Sequence, residues 1–296
     1  STTTMAYDPA QPWSKTNPAF LGYLNSAGSG THTILGMGVA ADGKVYMCGK
    51  WHRNGEGGGL AWWDPKSRQP GGLHDGMGHY QTTHLAITGQ GRYVVLSSRA
   101  VRDHAKPDEP TPGQGRIFVY DTAERQLTHF DPLPGGIHAG AIAGATGTLV
   151  VALAPDPSDT STNWTHRRSL LYAFDARTGA VAWKKPLPAP AGFTISENFD
   201  AAINFDFRTG PDGFIWTFTG GRMLAVNPDK PWGVSCEEAV LVRIAPADGA
   251  IIPVGKVGRA GRLAFQGNDL YLSGGSKYHT VDANYLRRIR NVVAVP

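Results

Sequence analysis

Three imidazoles, His32, His84 and His138, stand at or near the starts of three short apolar runs far apart in the chain. Tyr80 sits four residues ahead of His84, and Asp200 and Arg259 hold corresponding positions before two later runs. A second set falls in polar segments that follow the next apolar run of each copy. It comprises Trp51, His52 and Arg53, then Arg99, Arg102 and His104, then Arg167, then Tyr278. Imidazole and phenol groups move protons, and guanidinium groups neutralise carboxylates. Few carboxylates accompany them, so the combination favours an anionic ligand. Tyr and Trp beside it favour sugar rings, which offer apolar faces to aromatic side chains. An acidic, uronate-containing oligo- or polysaccharide satisfies both conditions.

Breaking such a polymer by β-elimination needs a cation on the carboxylate, a base for the C5 proton and an acid for the leaving oxygen. His84, His138, Tyr80 and Tyr278 are the expected acid–base groups. Arg53, Arg99, Arg102, Arg167, Trp51, Asp200 and Arg259 are the expected substrate-binding groups. Neutral imidazoles also take divalent ions, and His32, His52 and His104 are the candidate ligands for Zn, Mn or Ca. Neither a His-x-x-x-His spacing nor a zinc-type cysteine pair accompanies them. Glycoside hydrolysis needs two carboxylates across a substrate, whereas Asp200, Asp206 and Glu197 all come from one segment.

These residues can meet only if a repeated architecture converges them. A Gly-bearing turn between apolar runs recurs at Asp42-Gly43, Gly89-Gln90-Gly91, Ala145-Thr146-Gly147, Asp212-Gly213 and Gly267-Asn268-Asp269. The interval is about 50 to 65 residues, a repeat-protein period. A second turn, usually led by Asp, follows in four copies, at Asp64, Asp121, Asp175 and Asp248. In the third copy four strands are expected, over Ile137 to Ala143, Leu149 to Leu153, Leu170 to Asp175 and Val181 to Lys185. They grade from small and apolar to polar. That is one blade of a β-propeller. The expected fold is all-β, a single propeller domain over 1–296 built of four-stranded antiparallel blades. Five are visible, at about 31–72, 80–133, 137–188, 200–257 and 259–296. The fourth strand of the first is poorly marked, and the last has no room for one. Residues 18–26 are expected to close the ring on the last blade, and part of a six- or seven-bladed ring is the alternative.

The segment Ser169-Leu170-Leu171-Tyr172-Ala173-Phe174-Asp175 with Arg177-Thr178-Gly179 and Val181-Ala182-Trp183 resembles the repeat of PQQ-like and YVTN-type β-propellers. Gly115 to Thr122 is a weaker echo. The resemblance covers about 20 residues well and implies the fold; it does not imply quinone binding, because fold and function separate.

Composition agrees. With 38 Gly, 21 Pro and 18% charged residues, the chain suits many short strands and turns. A net charge of +4 without a polybasic tract points to neither nucleic acid nor membrane as a partner. Two cysteines make no disulfide framework; Cys48 is expected as a buried free thiol and Cys236 in a long loop. The expected location is extracellular or periplasmic, any leader having been removed. Two other functions compete with the lyase: a non-catalytic propeller serving as a ligand- or protein-binding scaffold, and a metal-dependent lactonase or hydrolase.

Overall fold

A computed structural model describes residues 3–23, 29–50, 58–73, 76–78, 80–100, 114–133, 139–156, 158, 169–187, 207–219, 222–225, 234–260, 262–274 and 285–294. It divides into two compact units, Ser1–His138 and Ala139–Pro296. Apart from a 3-10 turn at Val292–Ala294, the described regular structure is all strand.

The first unit opens with a ribbon in which β1 (Thr3–Ala6) pairs antiparallel with β2 (Ala19–Tyr23). Residues 18–26 were expected on the last blade; the pairing described for the strand they contain is with β1. Two four-stranded sheets follow. The first runs β3 (Thr33–Val39), β4 (Val45–Lys50), β5 (Gly58–Asp64), β6 (Gln69–Leu73). The second runs β7 (Tyr80–Thr88), β8 (Tyr93–Ala100), β9 (Ile117–Asp121), β10 (Gln126–Phe130). Each is a meander in chain order. The weakly marked fourth strand of the first copy is therefore a full strand, Gln69–Leu73.

These two sheets pack through Tyr46, Cys48 and Leu60 of the first against Leu85, Val94, Leu96, Phe118 and Tyr120 of the second. The contact is close because β3 presents glycines. A Cβ on Gly36 would stand 2.8 Å from the Leu85 backbone nitrogen, and one on Gly38 2.8 Å from Ile87 Cγ1. The alternate residues of β3, Leu35, Met37 and Val39, are exposed. Further out on their side of the sheet, Met47, Ala61 and Trp63 are buried with Leu21 of β2 packed on them.

The second unit holds three sheets. One is β11 (Ala141–Gly144), β12 (Leu149–Pro155), β13 (Ser169–Asp175), β14 (Val181–Pro186), buried along β11 and exposed along most of β14. The next is β15 (Arg208–Thr209), β16 (Ile215–Thr219), β18 (Val234–Ile244), β19 (Ile251–Ala260), with β17 (Arg222–Ala225) lying beyond β16 along the same edge of β18. The last has three strands, β20 (Arg262–Gln266), β21 (Asp269–Gly274) and β22 (Tyr285–Ile289). Its core joins Val151 and Leu171, Trp216 and Leu241, and Leu263 and Leu272 in one cluster. Two expectations are corrected here. Cys236 lies in β18 rather than a loop, because the segment before Val240 pairs with β17. The outer strand β19 continues through Ala260, so Arg259 is on that strand and not at an inner-strand start.

The Asp-led turns have a common cause. Asp64, Asp121 and Asp175 each accept backbone N–H bonds from residues two and three further on, a side-chain substitute for a backbone turn. The Trp of the resemblance segment ties sheets together. The Trp183 indole N–H donates to the Pro246 carbonyl at 2.8 Å, and its ring stands over Gly249, where a Cβ would be 2.7 Å away. Five consecutive antiparallel sheets, four of them with four or more strands and each ordered from an inner to an outer strand, are the blade architecture of a β-propeller.

Candidate functional site

The residues best placed to do chemistry lie at the beginning of β7, which starts at Tyr80, four residues earlier than the apolar run suggests. His84 is therefore inside the strand. The reason lies in the register. Gln81 faces Arg99 and Thr82 faces Ser98, but His84 faces Ser97, with a bulge between Thr82 and His84. Arg99 and Ser97 are two apart on a regular strand and so share a face. The bulge thus brings Gln81 and His84 to the same side, although a spacing of three would separate them on an ideal strand.

On that side a polar cluster is largely buried. Ser97 is fully buried and Thr83 nearly so. Their hydroxyls are 2.9 Å apart, and Nδ1 of His84 lies 3.2 Å from Thr83 Oγ1 and 3.4 Å from Ser97 Oγ. A hydroxyl both donates and accepts, so this pair can hold either imidazole tautomer. Gln81 is 7% exposed, and its Nε2 is buried with no hydrogen-bond partner among the described residues. A buried amide without a partner costs about 1–3 kcal/mol, so its presence at a strand start marks a position where a ligand atom would be welcome.

Tyr80 is half-buried on the opposite face of the strand from the cluster, the face it shares with Thr82. Its ring packs edge-on to Phe118, and the Arg116 guanidinium lies 5.2 Å from its centroid. Arg116 is held in turn by Asp131 at 3.1 Å. Arg99, opposite Gln81, is exposed. The strand start is anchored from its other side. Thr82, fully buried, accepts the Gly49 N–H at 2.9 Å, and its hydroxyl lies 2.9 and 3.0 Å from the carbonyls of Gly49 and Gly59.

Of the residues expected to act, His84 and Arg99 therefore come together on one face of this pair of strands, while Tyr80 starts the same strand but faces the other way. His32 is half-buried just ahead of β3, following the buried Thr31. Arg259 is on β19 in the other unit. His138, Tyr278, Arg53, Arg102, Arg167, Trp51, Asp200, His52 and His104 lie outside the described residues. Sequence reasoning passed over Gln81, Thr83 and Ser97. The available signal was the polar run Gln81-Thr82-Thr83-His84 at the head of an otherwise apolar strand.

Among the described residues, no group of three or more His, Cys, Asp or Glu side chains is placed to hold a metal ion. Gln81 and His84 offer two donors on one face, an amide oxygen and an imidazole, a mixture that suits ions such as Mn²⁺. No helix among the described residues is long and apolar enough to cross a membrane.

No family model matches the chain, and no curated protein sequence matches it. Solved structures do. An oligogalacturonate lyase from Vibrio parahaemolyticus superposes with a TM-score of 0.53 at 11% identity, over 93% of this chain and 66% of that one. An oligogalacturonate lyase in complex with manganese gives 0.51 at 11% identity, over 87% and 62%. The fold is a β-propeller. The Dos1 propeller is also similar, at 14% identity and a TM-score of 0.48, over 90% of this chain and 59% of that one. The chain thus spans 59% to 66% of the length of these three proteins, and at such identities the likeness concerns fold.

Proposed function

We propose that this propeller acts on an acidic, uronate-containing polysaccharide by β-elimination, with the polar cluster of β7 and β8 as the reacting centre. The observation that carries the reading is the buried amide nitrogen of Gln81, without a partner among the described residues, on the same strand face as the hydroxyl-held imidazole of His84. The two solved oligogalacturonate lyases of similar fold favour a pectin-type polymer over other uronates.

In this scheme Arg99 and the Gln81 amide bind the uronate carboxylate. Their positive charge and N–H dipole stabilise the electron density that gathers there as C5 loses its proton. His84 takes the C5 proton on a ring nitrogen. The electron pair of the broken C5–H bond forms the C4–C5 double bond, and the C4–O pair leaves on the glycosidic oxygen. Tyr80, on the opposite face of the strand, is set aside as the acid; His138 or a water molecule gives that oxygen its proton, and solvent restores the donor and the imidazole. Arg53, Arg102 and Trp51, of the same unit, are the extended binding surface. A divalent ion belongs to the same proposal, with His32, His52 or His104 as the residues that would hold it; when bound, it would supply further positive charge for the carboxylate. An extracellular or periplasmic location follows from a polymeric substrate.

The test is the ultraviolet absorbance of the unsaturated uronate end. Oligogalacturonate, polygalacturonate and alginate should be incubated with the chain and with His84→Asn. Loss of a general base typically reduces turnover by about 10²–10⁴-fold. A variant within a factor of two of the parent sinks the assignment of His84, and a folded parent that yields no unsaturated product from any of the three sinks the reaction.

A further inference from the structure

The loop between β1 and β2 carries two exposed rings that the reacting centre does not use. Trp13 is 75% exposed and Tyr7 50%, their ring centroids 5.8 Å apart and their planes tilted by 37°. The loop that presents them is tied together around Asn17, which is buried. Asn17 accepts the Asp8 N–H at 2.8 Å and places its amide nitrogen 2.9, 3.1 and 3.2 Å from the carbonyls of Asp8, Gln11 and Pro12. Ser14 Oγ accepts from the N–H groups of Thr16 and Asn17, and the Tyr7 hydroxyl reaches the Gln11 carbonyl at 3.5 Å. A segment without regular structure thus has its shape fixed by one buried side chain, and it holds the indole outward.

We propose that Tyr7 and Trp13 form a carbohydrate-binding platform on which sugar rings of the polymer stack, a subsite built on different residues from the β7 centre. Sugar fits better than an apolar partner because the border of the ring pair is polar. Asp8, Gln11, Ser14, Lys15 and Thr16 are all exposed. A pyranose has the same pattern, an apolar C–H face inside a rim of hydroxyls, and Lys15 offers a cation to a uronate carboxylate. The two tilted rings can each meet one sugar of a chain whose successive units are rotated. Because the loop is already ordered, binding does not pay the entropy of arranging it. The inference rests on the acidic-glycan part of the proposed function, not on the elimination step.

The experiment measures binding of polygalacturonate to the full chain by affinity electrophoresis and by quenching of tryptophan fluorescence. His84→Asn serves as the parent so that the polymer survives, and thermal melts confirm folding. Adding Trp13→Ala should weaken polymer binding by about 10-fold, the scale of one lost stacking contact, and should remove part of the quench; Trp13→Phe should keep most of the affinity. Equal affinity in Trp13→Ala and its parent overturns the platform, even if the native chain cleaves the polymer and the lyase reading stands. Trp13-dependent binding without any unsaturated product from the native chain supports the platform and removes the lyase. Trp13-dependent sedimentation with phosphatidylcholine–phosphatidylglycerol vesicles, or Trp13-dependent self-association, in place of polymer binding also overturns it.

Discussion

Replacing Thr82 by Val should test how the reacting centre is held. Valine keeps the branched shape of threonine and puts a methyl where the hydroxyl was, so the hydrogen bonds are lost while the size changes little. In the folded chain that hydroxyl is fully buried; it accepts the Gly49 N–H at 2.9 Å and points its proton at the carbonyls of Gly49 and Gly59. The variant strands the Gly49 N–H away from water, a penalty of about 1–3 kcal/mol, and forfeits a donated hydrogen bond of about 1 kcal/mol. The sum is roughly 2–4 kcal/mol. For a chain of this size each kcal/mol moves Tm by about 2–4 °C, so a drop of roughly 5–15 °C is expected in a calorimetric or circular-dichroism melt. Thr82→Ser, which retains the hydroxyl and loses a methyl, should fall by clearly less. The latch also fixes the backbone between Gln81 and Thr83, so product formation by Thr82→Val should decline below its melting range. A Thr82→Val melt within about 1 °C of the parent would refute the argument, since it would mean the buried N–H finds another partner at no cost.

Two further predictions concern single groups. Burial pushes the Cys48 thiol up to about 12, so at pH 8 iodoacetamide should leave it unmodified until the chain is denatured, and peptide mapping that finds native Cys48 alkylated at the unfolded rate would contradict its placement. Asp121 receives a bidentate Arg92 guanidinium at 2.7 and 3.0 Å, which holds its carboxyl below the usual range; because the folded value is depressed, its stabilisation is present above the unfolded value of about 4 and is lost as pH falls further. Asp121→Asn should therefore melt below the parent at pH 7, with the gap narrowing below about pH 3, and a gap that stays constant with pH would show that charge is not the cause.

The turn chemistry was legible in the sequence because it is local. An Asp that folds back on the next backbone N–H groups acts within four residues, and alternating apolar runs state which face is buried whatever lies opposite. Those signals placed most of the strands, the blade pattern and the buried Cys48. Tertiary pairing decided what remained. Gln81 and His84 are three apart and by strand periodicity belong on opposite faces; only pairing with β8 reveals the bulge that brings them together. Arg259 reads as a strand start, but β18 offers a long edge that draws β19 on through it. Thr82 looks like any β-branched strand residue until Gly49 and Gly59, far away in sequence, arrive beside its hydroxyl. Hydrogen bonds between strands depend on which edge meets which, and that choice belongs to the packed sheet rather than to any short stretch of residues.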